Sequence, residues 1–93
     1  MPDVQHDPEA RKFFVAVDGG ESRLSYRPVG DGELDFHSTF TSPELRGRGL
    51  AAAVVARGFD YARENGFKVI PSCPYVAAFV DRQPQYADLV AGR

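Results

Sequence analysis

The stretch that decides the fold of this chain is Pro43-Glu44-Leu45-Arg46-Gly47-Arg48-Gly49-Leu50-Ala51. Its two glycines, one residue apart, allow a tight turn and a close approach of the backbone to a ligand. Strong helix formers follow from residue 50 onward. A glycine-rich turn that leads into a helix leaves amide N–H groups unpaired at the positive end of the helix dipole. We therefore predict that this turn binds phosphate.

Cationic side chains are concentrated around this turn and the helix predicted after it. They are Arg46, Arg48, Arg57, Arg63 and Lys68. The chain as a whole carries a net charge of -2, so it offers no general reason to bind nucleic acid. The local excess of positive charge suits a small polyanion. The alternative for this stretch is a plain connector between a strand and a helix, which does not require flanking arginines.

Length and composition restrict the class of protein. The 93 residues are 43% hydrophobic and 26% charged, which is typical of one globular domain. The single cysteine, Cys73, excludes an intrachain disulfide and a four-cysteine metal site. No apolar run approaches the length of a membrane span, and residues 1–7 lack the features of a secretory signal. We expect a cytoplasmic protein, a monomer or weak dimer, with neither a membrane nor nucleic acid as partner.

Two strands of a β-meander are predicted well before the glycine turn. Residues 1–11 are polar and contain two prolines, so we predict a flexible N-terminal segment ahead of a domain that spans residues 12–93. His6, in this segment, is expected to be solvated. The β-forming residues 12–17 lead into a turn, and apolar and polar residues then alternate from 21 to 27, as in a strand with one wet face.

A third strand, residues 33–41, leads directly into the glycine turn. Its alternation assigns the side chains to two faces of the sheet. One face holds Leu34, Phe36 and Phe40, and the other holds Asp35, His37, Thr39 and Thr41. We predict that the first face packs against the rest of the protein and that the second forms a polar row.

A helix, a strand and a second helix are predicted after the turn. Apolar spacing indicates a helix from residue 50 to Asn65, ended by Gly66, and a short β-prone run follows at 67–70. Because a helix joins the third and fourth strands, this pair should be parallel. Pro74 suits the first turn of the second helix. The predicted fold is α+β, an antiparallel β-meander followed by a βαβ crossover and a C-terminal helix (β-β-β-α-β-α).

The carboxyl ends of the third and fourth strands are expected to form the site. Ligands of open sheets with parallel strands bind outside these ends. The third strand ends at Thr41 and the fourth at about Pro71. The glycine turn and Cys73 should therefore lie side by side.

The chain resembles the GNAT N-acetyltransferase superfamily from about residue 12 to 90. The order strand, Arg46-x-x-Gly49-x-Ala51, helix, strand is similar to the acyl-coenzyme-A signature of that superfamily. The resemblance is closer to its minimal, single-domain branch. That branch shares a histidine on the strand before the signature, a Leu-Arg-Gly-x-Gly motif and a Cys-Pro-Tyr-Val-Ala-Ala stretch. These correspond here to His37, to Leu45 through Gly49 and to Cys73 through Ala78.

The resemblance implies acetyl-CoA as the donor and an unidentified amine as the acceptor, either a small molecule or a protein lysine or N-terminus. It implies that backbone amides hold the pyrophosphate of acetyl-CoA. The residues concerned are Arg46, Gly47, Arg48, Gly49, Leu50 and Ala51. It also implies that the pantetheine arm runs between the third and fourth strands toward Phe40, Thr41 and Cys73. The chain lacks the helices that precede the meander in larger members and help to form the acceptor site.

Cys73 and His37 are the candidate catalytic residues. Cys73 is either a small buried side chain or, because Pro74 follows it at a helix start where the dipole favours thiolate, a nucleophile or a group beside the thioester. His37 is either an exposed strand histidine or a general base, since its ordinary pKa lies near the operating pH. In the superfamily a tyrosine on the last helix often protonates the departing thiol. Phe79 aligns to it here, which leaves Tyr75 or Tyr86 as substitutes or as packing residues.

Three functions follow from these patterns. The favoured function is an acetyl-CoA-dependent N-acetyltransferase. The alternative is a module that binds coenzyme A or another phosphorylated ligand without catalysis. A third hypothesis is a structural adaptor without a small ligand.

Overall fold

The computed structural model describes residues 3–92, which form one five-stranded sheet and two α-helices. The strands are β1 (Gln5–Asp7), β2 (Lys12–Val17), β3 (Gly20–Val29), β4 (Glu33–Thr41) and β5 (Lys68–Ile70), and they lie in the sheet in that order. Strands β1 to β4 are antiparallel, whereas β4 and β5 are parallel. The predicted α+β fold, with a meander followed by a crossover, is confirmed.

The two helices begin and end at the positions predicted from the glycine and proline residues of the sequence. Helix α1 (Leu50–Asn65) starts after Gly49 and stops at Gly66, both in the left-handed region. The N–H of Gly66 donates to the carbonyls of the last helical turn, which is a usual helix stop. Helix α2 (Pro74–Arg82) follows Cys73, with proline in its first turn. Within residues 3–92, no helix is both long and apolar enough to cross a membrane.

The core lies between the sheet and the helices. Its largest fully buried side chains come from both layers. They include Phe13, Leu24 and Phe36 from the sheet and Phe59 and Val76 from the helices. Gly58 sets the spacing, because a Cβ at this position would stand 2.7 Å from a methyl of Leu24 and 3.1 Å from the ring of Phe36. A side chain there would push α1 away from the sheet.

The N-terminal segment differs from the sequence prediction. Residues 5–7 form β1 and pair with β2, so the flexible segment predicted for residues 1–11 is wrong at this point. The predicted solvation of His6 is also wrong. Its ring stacks on Phe13 at 4.2 Å between centroids, and its Nε2 lies 2.6 Å from the Tyr26 hydroxyl. One aromatic side chain and backbone pairing attach this polar segment to the sheet. The domain boundary at residue 12 stays a prediction.

A β-bulge in β4 changes which side chains share a face. Pairing with β3 passes from Tyr26–Phe36 to Ser25–Ser38 and skips His37. One extra residue reverses the alternation beyond it, because side chains of a strand point to opposite faces with period two. Phe40 is therefore exposed on the face opposite Phe36. The two faces predicted for residues 33–41, including the continuous polar row, are thus corrected by the structure.

Candidate functional site

The glycine turn folds back against the end of β4. A short 3₁₀ helix, Pro43–Leu45, follows the strand, and buried Leu45 fixes it to the core. Gly47 (φ 84°) and Gly49 (φ 77°) then adopt left-handed backbone conformations that other residues enter only with strain. Arg46 Nε donates to the Thr41 carbonyl at 3.1 Å. The turn is thereby held beside the carboxyl end of the strand.

The N-terminus of α1 is open. Gly49 occupies the cap position, and among residues 3–92 no side chain caps this helix end. The N–H of Ala53 donates to the carbonyl of Gly49 at 3.2 Å. The amides of Leu50, Ala51 and Ala52 therefore precede the first helical hydrogen bond and lack helical partners. Free amides at the positive end of a helix dipole are the features of helix ends that bind anions.

These amides border a cleft of about 230 Å³. Six residues that the sequence assigned to cofactor binding line it: Thr41, Arg46, Gly47, Gly49, Leu50 and Ala51. Tyr75, from α2, closes the opposite side. Phe40 lies outside this cleft. The guanidinium of Arg23 lies 4.6 Å from the centre of its ring. Arg48 lies outside the cleft lining, and one of its terminal nitrogens is 3.9 Å from an Asp18 carboxylate oxygen.

Strands β4 and β5 separate at the site. They pair only from Glu33 to Asp35 of β4, where Asp35 is opposite Ile70. The chain after β5 then leads into α2, and the N–H of Cys73 donates to the Phe36 carbonyl at 3.0 Å. Beyond Asp35, the edge of β4 that faces away from β3 lies next to the start of α2 and not next to a paired strand. Such a gap next to an anion-binding turn can hold an extended chain attached to a phosphate group.

Cys73 lies at this gap, immediately before α2. It is 8% exposed, and its Sγ is 3.6 Å from the Thr39 hydroxyl. Burial alone would raise the pKa of the Cys73 thiol. The Thr39 hydroxyl and the nearby backbone N–H groups of Val76 and Tyr75 outweigh burial, and the pKa lies below its ordinary value. The thiolate is thus favoured by the arrangement of its neighbours, although Sγ forms no regular capping hydrogen bond.

His37, Tyr75 and Tyr86 lie in three different environments. His37 is exposed at the bulge, and no hydrogen bond links it to Cys73 within residues 3–92. Tyr75 is half-buried at the cleft. The Tyr86 hydroxyl donates to Asp60 at 3.1 Å and its ring stacks on Phe59, so this residue is part of the packing. Burial and Asp60 raise the pKa of Tyr86.

Asp35 is a buried charged residue to which sequence reasoning gave no role. It accepts a hydrogen bond from Arg27 at 2.8 Å across β3 and β4 and is only 5% exposed. Burial alone would raise its pKa, but the nearby Ser72 hydroxyl, Arg27 and the charge of His37 outweigh burial, so the pKa is lowered. The partner of this aspartate depends on cross-strand register, so local sequence carried no sufficient signal for its burial.

The fold and the site together have the architecture of a small acyltransferase domain. A family model described as GCN5-related N-acetyl-transferase matches residues 12–89, and the chain belongs to this family. Membership supports acyl transfer as its general chemistry and confirms the family predicted from the sequence.

Known proteins resemble the chain over most of its length. Protein NATD1 of Xenopus tropicalis is 31% identical over 83 residues, which cover 87% of this chain and 76% of that protein. Protein NATD1 of Homo sapiens is also 31% identical over 83 residues, covering 74% of that protein. A solution structure of a GCN5-like protein from Staphylococcus aureus has a TM-score of 0.73 and 26% identity, covering 98% of this chain and 89% of that chain.

Proposed function

We propose that this protein transfers an acetyl group from acetyl-CoA to an amine. The observation that carries the proposal is the open N-terminus of α1, where a glycine cap leaves amides facing a cleft beside the gap between β4 and α2. A diphosphate with a long flexible arm fits these two features together. Membership of the GCN5-related N-acetyltransferase family supports the same chemistry.

The glycine turn would bind the diphosphate of acetyl-CoA. Amides from Gly47 to Ala51 supply hydrogen-bond donors, and the helix dipole adds positive potential. The N–H of Arg46 donates instead to the Pro43 carbonyl at 3.3 Å. Arg46 is held at the cleft by its bond to the Thr41 carbonyl, which positions its charge toward a phosphate. Arg48 belongs to the same turn, and its ion pair with Asp18 is weak, since their distance is 3.9 Å and both side chains are exposed. Its side chain is therefore free to turn toward the diphosphate.

The pantetheine arm would run along the second half of β4 and bring the thioester to Cys73. Thr41 lines the cleft, and Thr39 two residues earlier contacts the Cys73 sulfur. Phe40 contributes from the same strand, although its side chain is on the opposite face. The geometry therefore leads from the diphosphate to the sulfur along one strand.

Two routes of transfer start from this arrangement. In direct transfer, the amine nitrogen forms a bond to the acetyl carbonyl carbon, the carbon–sulfur bond breaks, and the coenzyme A thiolate takes up a proton while the amine loses one. His37 would accept the proton of the amine. In the covalent route, the Cys73 thiolate first attacks the same carbon and releases coenzyme A thiolate. The amine then attacks acetyl-Cys73, which restores the thiol.

A non-catalytic module that binds coenzyme A is the second candidate. The absence of a hydrogen bond between His37 and Cys73 within residues 3–92 favours it, because a nucleophile and its base usually lie within hydrogen-bond reach. Such a module predicts stabilisation by coenzyme A without product.

One set of measurements separates these functions. Calorimetry with acetyl-CoA tests binding, and mass spectrometry together with release of free coenzyme A across a panel of amines tests transfer. Acetylated amine and free thiol in equal amounts are the result we expect. Binding without product would establish the non-catalytic module. If folded protein takes up neither coenzyme A nor acetyl-CoA at millimolar concentration, the proposed function is wrong.

A further inference from the structure

Asp35 lies at the point where β4 and β5 separate. It forms the last pair between the two strands, opposite Ile70. Its neighbour Phe36 packs against Phe59 of α1, so Asp35 points to the sheet face away from α1. The cofactor cleft, bordered by Ala52 of α1, is on the helix side. Asp35 therefore approaches the same strand gap from the opposite face of the sheet.

One oxygen of this carboxylate forms no hydrogen bond of regular geometry among residues 3–92. Oδ2 accepts from Arg27, whereas Oδ1 is buried, and the Ser72 hydroxyl lies near the carboxylate without forming such a bond. A buried charged oxygen without a donor is unfavourable, since it has lost water without gaining a replacement. The neighbouring groups nevertheless keep the pKa of Asp35 below its ordinary value, so the carboxylate stays ionised. Oδ1 can therefore accept a hydrogen bond from a further donor or a positively charged group.

The ion pair at the other oxygen, Oδ2, is exposed on one side. The Arg27 side chain that pairs with Asp35 is 61% exposed, whereas the Asp35 side chain is 8% exposed. The exposed guanidinium loses little when it leaves, because water solvates it, whereas the buried carboxylate needs an incoming cation to replace it. A second cation could displace Arg27 and reach both carboxylate oxygens.

We propose that Asp35 binds the ammonium group of the acceptor, which is therefore a cationic primary amine that enters from the open face of the sheet. This inference rests on the proposed transfer reaction and names its substrate class. The ammonium group could belong to a free small amine or to a lysine side chain, since both carry the same charge and donors. Asp35 is a binding residue and not the general base, because a carboxylate with a lowered pKa holds an ammonium ion without taking its proton.

An NMR titration of the folded protein tests this binding without requiring turnover. The probes are butylammonium, for a free amine, and N-acetyl-lysine amide, for a lysine side chain. N-acetyl-norleucine amide, which lacks the charge, is the neutral control. We expect both cations to shift the backbone amide signals of Asp35 and Ile70 and the neutral probe to leave them unchanged. The cation that binds at least tenfold more tightly identifies the source of the acceptor.

Three substitutions test whether the Asp35 carboxylate binds the cation. Asp35→Asn removes the charge at constant shape and should weaken ammonium binding at least tenfold. Glu21→Gln is the matched control, because Glu21 lies on the same sheet face and is also paired, with Lys12 and Arg23 at 3.2 Å each. It should leave the affinity unchanged. Arg27→Gln uncovers Asp35 and should tighten binding severalfold, which provides a second test if Asp35→Asn fails to fold.

The outcomes separate this inference from the proposed function. If Asp35→Asn binds the cations as the parent does, or if neither cation shifts these signals in the parent at tens of millimolar, the inference is wrong even when acetyl-CoA binds and is turned over. If acetyl-CoA does not bind but the cation signature is present and depends on Asp35, the ammonium site stands and the transfer reaction fails. With transfer active, Asp35→Asn should raise KM for the cationic amine at least tenfold and leave acetyl-CoA affinity unchanged.

Discussion

The N-termini of α1 and α2 differ in what lies beside their first backbone amides. At α1 a glycine occupies the cap position and the first amides face an open cleft. At α2 the buried sulfur of Cys73 lies beside the first amides. A glycine at the cap position costs only roughly a few tenths of a kcal/mol relative to a side-chain cap. In the proposed function, the α1 end is free for an external anion, whereas the α2 end favours the thiolate of the protein's own Cys73.

The largest expected effect on acetyl-CoA affinity comes from placing a negative charge at the open N-terminus of α1. Ala51→Glu places a carboxylate beside the free amides of α1, where the dipole stabilises it and where it repels a diphosphate. We expect acetyl-CoA affinity to fall about 100-fold, or about 2.7 kcal/mol, with the fold retained. Calorimetry measures the affinity, and thermal unfolding checks the fold.

The matched control for this change is Asn65→Glu, which adds the same charge at the other end of α1. Its affinity for acetyl-CoA should stay within about twofold of the parent, because charge effects of this kind are confined to one helix end. An Ala51→Glu protein that binds acetyl-CoA normally would show that the α1 amides do not hold the diphosphate.

Removing the Cys73 sulfur at the N-terminus of α2 should have a smaller effect, which is measured as a change in the free energy of unfolding. Cys73→Ala removes the sulfur next to the α2 amides and leaves a small void, which should cost about 1 kcal/mol. Cys73→Ser should be at least as stable as the parent, because Cys73 has the extended backbone of a normal cap and serine is a preferred cap residue. Thermal unfolding measures both variants.

The same pair of variants tests the covalent route. Neither should form an acetyl adduct at residue 73, and transfer through Cys73 would be lost in both. A stable Cys73→Ser protein with the full parental transfer rate would show that the sulfur is not the nucleophile.

Sequence chemistry predicted the elements whose determinants are local. The bounds of α1 follow from glycines at its two ends, and the start of α2 follows from Pro74. The conformation of the glycine turn was predicted for the same reason, since a left-handed backbone and free amides need only a few neighbouring residues. Phosphate binding by this turn stays a prediction. Five of its predicted residues line one cleft together with Thr41 of β4.

Features that depend on distant pairing were missed. The bulge at His37 exists because β3 and β4 pair in a particular register, and it moves Phe40 to the face opposite Phe36. Strand β1 carries no apolar alternation, and the stacking of His6 on Phe13 becomes visible only in three dimensions. The burial of Asp35 likewise requires knowledge of its cross-strand partner. Register and tertiary contacts, which are not local properties, decide these positions.

The cause of the thiolate-favouring environment can be tested at Thr39. The pKa of Cys73 is lowered against the effect of burial, with the Thr39 hydroxyl as the largest favourable contribution. Thr39→Val removes this donor, so the pKa should rise and the thiolate fraction near pH 7.5 should fall. We expect iodoacetamide to react severalfold more slowly at that pH, with its titration midpoint at higher pH. An unchanged midpoint would assign the lowered pKa to the helix end alone.

Salt should produce the smallest effect and separate the two helix ends most directly. Raising the salt concentration from about 0.05 M to about 0.5 M screens charges at exposed sites and affects buried ones much less. Acetyl-CoA affinity should therefore fall about threefold, since its diphosphate binds at a cleft open to solvent. The titration midpoint of Cys73 should move little, because the sulfur is 8% exposed and its donors are protein groups. If both quantities respond to salt equally, the sulfur is accessible to ions, and the two helix ends do not differ in the way proposed.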